Sequence, residues 1–85
     1  MSESESFGLQ QVRWMARRGM LELDLLFNRF VDAHFLSLSI EEQVCLVDLL
    51  QEQDTTLYDW FFSTQQPERE DFVSLVSKIK HVQSV

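Results

Sequence analysis

The chain has 85 residues, 45% of them hydrophobic and 25% charged, and carries a formal net charge of −7. That is one domain's worth of sequence, too apolar to remain disordered and short enough to bury only roughly 60% of its unfolded surface. The acidic balance excludes the phosphate-neutralising surface of a nucleic-acid binder, and no run approaches the ~20 apolar residues that span a bilayer.

Two Gly and one Pro leave few positions for turns, which favours a few helices over many strands. The lone cysteine, Cys45, excludes an internal disulfide, and no CxxC pair or Cys/His cluster suggests zinc. Residues 1–8 are an acidic serine/glutamate stretch leading to Phe7-Gly8, expected to form a flexible lead. It has the character of neither a secretory signal nor an arginine-rich transit peptide, so a cytoplasmic protein is expected. Residues 9–85 are expected to form a single helical domain.

From Leu9 to Arg18, Leu9, Val12 and Ala16, with Met15 beside them, repeat at intervals of three and four, the period of an amphipathic helix. Trp14 stands three residues before Arg17 and four before Arg18, within reach of a guanidinium across its indole face. Gly19 then reads as a left-handed residue closing this helix. A second helix runs to about His34, with Leu23, Leu26, Phe27, Phe30 and Val31 inward and Glu22 in its first turn, where the helix dipole favours a carboxylate.

Phe35 to Leu38 is expected to be a connector. Ser39 and Glu42 form a capping box for a third helix reaching about Gln51, with Leu46, Leu49 and Leu50 inward and Cys45 beside them. Asp54 is suited to cap a fourth helix in which Leu57, Trp60, Phe61 and Thr64 share a face, while Tyr58 and Phe62 fall just off it. Pro67 suits the first turn of a fifth helix, whose buried stripe is Phe72, Leu75, Val76 and Ile79. The predicted fold is all-α, a compact bundle of about five short helices.

No catalytic constellation is evident. His34 and His81 lie far apart, Cys45 reads as a small core residue, Glu41 and Glu42 are explained by helix capping, and a glycine-rich phosphate loop is missing. No Lys or Arg occurs between Arg29 and Arg69, a span that holds Glu41, Glu42, Asp48, Glu52, Asp54 and Asp59. Such a run is first of all a solvated face. It could also orient the docking of a protein partner.

The corner around Gly19 is different, because Arg17 and Arg18 bring more charge than a helix end requires, and arginine suits recognition of carboxylates across an interface. Arg18-Gly19-Met20-Leu21-Glu22, preceded by Arg17 and followed by an apolar helix, resembles the RGxxE signature of the succinate dehydrogenase flavinylation factor family, called SdhE in bacteria. The similarity runs from about Val12 to Ile79 and is most specific over Trp14 to Asp24. A weaker match is Leu49-Leu50 followed by Asp54, Leu57 and Trp60. Departures are Gln11, where the family often has a basic residue, and Thr55-Thr56, where a proline or second acid is usual.

The resemblance implies a five-helix assembly factor, not an enzyme. It would bind the flavoprotein subunit of succinate dehydrogenase, and in bacteria also that of fumarate reductase, and promote covalent attachment of FAD there without holding a cofactor stably itself. By the match Arg18, Gly19 and Glu22 carry the motif's role, with Trp14, Arg17 and Asp24 flanking it. The missing presequence resembles a bacterial member, and a monomer is expected. On this reading both arginines face outward, and Arg18→Ala leaves the melting temperature nearly unchanged while abolishing flavinylation. The alternative is an antitoxin or adaptor that neutralises a basic or membrane-bound toxin, a role the resemblance also implies.

Overall fold

Helix-forming periods separated by very few breakers produce five α-helices in the computed structural model, which describes residues 8–83. They are α1 (Leu9–Met15), α2 (Leu21–His34), α3 (Ile40–Leu49), α4 (Asp54–Phe62) and α5 (Glu70–Gln83), with a single 3-10 turn at Phe35–Ser37. Among the described residues there is no strand. The flexible lead expected over 1–8 falls, apart from Gly8, outside the described residues.

The long α2 is the element the others pack on: α1, α4 and α5 all lie against it, and α3 lies against α5. Its inward stripe, Leu23, Leu26, Phe27, Phe30 and Val31, is buried as its spacing predicted. Phe27 meets Phe61 of α4 edge-on, with ring centroids 5.3 Å apart, the geometry favoured by aromatic quadrupoles. Val12, Ala16, Phe35, Leu46, Leu49, Leu57 and Ile79 are also fully buried.

The capping box is formed as expected: the Glu42 N–H donates to Ser39 Oγ at 3.1 Å, and the Ser39 N–H donates to Glu42 Oε1 at 3.0 Å. Cys45 is buried beside the leucines, and its thiol points to the Asp71 carbonyl oxygen at 3.5 Å. Two acids of the middle segment are paired by cations of the last quarter, Glu42 with Lys78 at 2.8 Å and Asp48 with Arg69 at 3.3 Å.

Several boundaries differ from the sequence expectation, each for a physical reason. The first helix stops at Met15 and not Arg18, because distant carboxylates take the N–H groups that would extend it: Arg18 N donates to Asp24 and Gly19 N to Asp54. Asp54 is the first residue of α4 and not its cap, since Gln53 occupies that position and the Asp54 carboxylate is engaged at the corner. Pro67 is buried in the link before α5, beside Trp60 and Phe72, and does not start that helix. Arg69 instead leads in, its backbone carbonyl accepting from the Val73 N–H at 3.0 Å. Thr64 lies beyond the end of α4 and is exposed.

Candidate functional site: the corner between the first two helices

Helix ends leave carbonyl oxygens without intrahelical donors. At this corner one side chain answers two such ends. Arg18 curls back so that Nη1 donates to the carbonyl of Met15 at 3.1 Å, where α1 stops, and to that of Leu50 at 2.9 Å, where α3 stops. Its Nη2 donates to the Glu52 carbonyl at 2.7 Å, and Nε donates to Asp54 Oδ1 at 2.8 Å. A planar five-donor group suits this arrangement, and a lysine ammonium does not reproduce it.

The expectation that Arg18 faces outward is therefore corrected: its side chain is only 12% exposed and its guanidinium is spent on internal partners. The expectation that Gly19 is left-handed is corrected too, since no residue among those described has a positive φ. What Gly19 supplies is a backbone N–H, which donates to Asp54 Oδ2 at 3.1 Å, joined by the Met20 N–H at 3.3 Å. Asp54 thus accepts from both a side chain and two successive amides. Burial alone would raise its carboxyl, but the Arg18 hydrogen bond, the two amides and the Arg18 charge outweigh that and hold it below its usual value of 3.8.

Asp24, in the first turn of α2, closes the corner from the other side. Its Oδ1 accepts from the Arg18 N–H at 2.9 Å and from Asn28 Nδ2 at 3.2 Å. Asn28 Nδ2 also donates to the Ala16 carbonyl at 3.3 Å, so the break after α1 is satisfied group by group.

Outside this clasp the surface is open. Trp14 is 77% exposed, and among the described residues no guanidinium lies over its ring; the cation–π contact of the fold is Arg69 over Phe72 at 4.0 Å. Arg17 is 67% exposed and held only by a 3.6 Å approach to Asp24. The two line an open groove between α1 and α2 with Gln10, Arg13, Asn28 and Asp32. Glu22 is exposed on the next turn and has no polar partner among the described residues.

The six residues singled out from sequence accordingly divide. Trp14, Arg17 and Glu22 face solvent, whereas Arg18 and Asp24 turn inward and Gly19 contributes backbone. Sequence reasoning missed Asp54 as a member of the corner, because a residue 36 positions from Arg18 carries no local signal of that contact. It also passed over Leu21 and Leu25, exposed apolar residues beside the motif, although their spacing of four, off the buried stripe, was a usable signal. An exposed aromatic flanked by a loosely held guanidinium and an exposed carboxylate is equipped to anchor a protein partner. Among the described residues no group of three or more His, Cys, Asp or Glu could hold a metal ion, and no helix is long and apolar enough to cross a membrane.

Comparison with known proteins gives the same family as the resemblance. A family model described as flavinator of succinate dehydrogenase matches residues 10–83. The chain is 38% identical over 81 residues to the FAD assembly factor SdhE of Coxiella burnetii, covering 95% of this chain and 99% of that protein. It is 31% identical over 81 residues to the protein of the same name from Acinetobacter baylyi, covering 95% of each. With the Shewanella oneidensis protein of that name the identity is 47% over 57 residues, 67% of this chain and 70% of the relative. None of these three is named an antitoxin or an adaptor, and no solved structure matches the chain.

Proposed function

Because this chain belongs to the succinate dehydrogenase flavinator family, we propose that it is an assembly factor for the flavoprotein subunit of that enzyme, and for its fumarate reductase counterpart. It docks through the corner face and promotes covalent attachment of FAD to the subunit. The observation that carries this reading is the pairing of a 77% exposed Trp14 with the loosely held Arg17 beside it. Gly19, Glu22, Asp24 and Arg18 complete the docking element, the last two from beneath.

The chemistry belongs to the partner and its flavin. The factor works as a monomer in the cytoplasm, holds no cofactor stably and performs no reaction of its own. Its contribution is positional: a rigid bundle that holds the flavoprotein with FAD and the acceptor histidine in reactive geometry lowers the entropic part of the barrier. An aromatic anchor among charged neighbours supplies affinity, and the charges set register.

Coexpression of the flavoprotein subunit with the factor, followed by in-gel flavin fluorescence, tests the reading. Replacing Trp14 and Arg17 together by Ala should cut covalent flavin at least 10-fold, because interface anchors of this kind each contribute about 2 kcal/mol or more. The melting temperature should stay within about 2 °C, since exposed positions contribute little to folding. Undiminished flavin in the double variant refutes the docking face.

A further inference from the structure

The proposed docking face is carried by α1 and the start of α2, yet what fixes the angle between them comes from elsewhere in the chain. We infer that Asp54, at the start of α4, is a positioning residue that sets how Trp14, Arg17 and Glu22 are presented to the flavoprotein, an inference that rests on the reading above.

Three observations support it. The Asp54 carboxylate accepts from the N–H groups of Gly19 and Met20, the residues that link α1 to α2. It also accepts from Arg18 Nε at 2.8 Å, and Arg18 in turn holds the ends of α1 and α3 through their carbonyls. Apart from the Arg18 N–H to Asp24 and the Asn28 side chain on the Ala16 carbonyl, both made from α2 itself, the link is held by Asp54: α2 has no side-chain cap at Met20, and Gly19 is exposed. A seven-residue helix such as α1 is too short to be stable by itself, so its direction follows from the packing of Val12 and Ala16 in the core and from what its ends are tied to. Asp54 touches none of the outward residues directly; it acts on them through the link.

The link N–H groups lose their long-range acceptor in Asp54→Ala, and Trp14 and Arg17 then sample orientations of which only a fraction is competent to dock. Apparent affinity falls by that fraction, while the complex once formed is unchanged. Arg18 keeps its three carbonyl partners in this variant, so the bundle still folds. Asp54→Asn retains an oxygen acceptor and should show a smaller effect; it also serves should the Ala variant fail to fold.

The experiment titrates the purified full chain against apo-flavoprotein with FAD and reads covalent flavin. The half-saturating concentration should rise at least 10-fold for Asp54→Ala and about 3-fold for Asp54→Asn, with the plateau yield unchanged. Leu75→Ala, a core truncation between α3 and α5, serves as the control for thermal destabilisation. In parallel, the amide protons of Gly19 and Met20 should exchange with solvent at least 10-fold faster in Asp54→Ala and at the wild-type rate, relative to the global opening rate, in Leu75→Ala.

Equal titration shifts for Asp54→Ala and the control would overturn the positioning role while leaving the proposed function standing. Should the wild-type chain raise covalent flavin no higher than the flavoprotein does alone, it is the functional reading that fails. The amide exchange rates then decide positioning separately, and unaltered rates at Gly19 and Met20 overturn it.

Discussion

Truncating Arg18 to Ala should unfold the protein at a much lower temperature. The side chain makes four hydrogen bonds, three of them to backbone carbonyls and one to a carboxylate. Its removal leaves the carbonyls of Met15, Leu50 and Glu52 without that donor and Asp54 without its counter-charge. Breaking a buried charge pair from one side costs about 3–5 kcal/mol. Here the Asp54 side chain is 27% exposed, so water relieves part of the deficit, and about 2–4 kcal/mol is expected. For a domain of this size each 1 kcal/mol moves the midpoint by about 4–8 °C, which predicts a fall of about 8–32 °C. Circular-dichroism melts of wild type and Arg18→Ala measure it, with Arg18→Lys expected in between because it keeps the charge and loses the fork. A fall of less than about 4 °C would show that the clasp contributes little to folding, and Arg18 would return to being an interface residue alone.

Gly19→Ala should be close to neutral in the same melt, within about 1 kcal/mol either way, because the backbone there has no positive φ and an added Cβ would sit 3.6 Å from Asp54 Oδ2, an ordinary contact. A loss above 2 kcal/mol would contradict that geometry. Acid should weaken the fold in a defined window. The Asp54 carboxyl is lowered in the folded state, burial being outweighed by the Arg18 hydrogen bond and charge together with the two amides, and the Glu42 carboxyl is lowered chiefly by the hydrogen bond from Lys78. Groups with depressed folded values contribute fully above their unfolded values near 4, and that contribution is lost as pH falls through the folded ones. Urea midpoints should therefore be level from pH 7 to 5 and drop below about pH 4, less so in Asp54→Asn. Cys45, whose thiol is pushed up to about 11 chiefly by burial, should resist a thiol reagent at neutral pH and react on addition of urea. Ser39→Ala removes the acceptor for the Glu42 N–H and should cost about 1 kcal/mol.

How far the sequence was readable depended on the distance over which each feature is encoded. The stripe of α2, the Ser39–Glu42 capping box and the buried face of α5 are written within a few residues, and each is where periodicity and cap chemistry put it. Trp14 and Arg17 could be picked out because they stand off the apolar stripe of a short helix. Arg18 could not be told from Arg17 by any local rule. What separates them is the turn after α3, whose carbonyls and carboxylate select the one guanidinium that reaches them. The left-handed reading of Gly19 failed for the same reason. Local rules close a helix with a glycine C-cap, whereas here competing carboxylates remove the next N–H donors, and no unusual backbone angle is needed.

Arg18 reaches partners 32, 34 and 36 positions further along the chain. During synthesis, when domains form from the N-terminus onward, the first two helices can pair while their joint is still unsecured, since the groups that lock it have yet to leave the ribosome. A fragment ending before Leu50 would carry the whole RGxxE stretch and still lack its final shape. The proposed docking face therefore takes its finished form only once the third helix and the turn after it are made, because those segments carry the groups that hold Arg18.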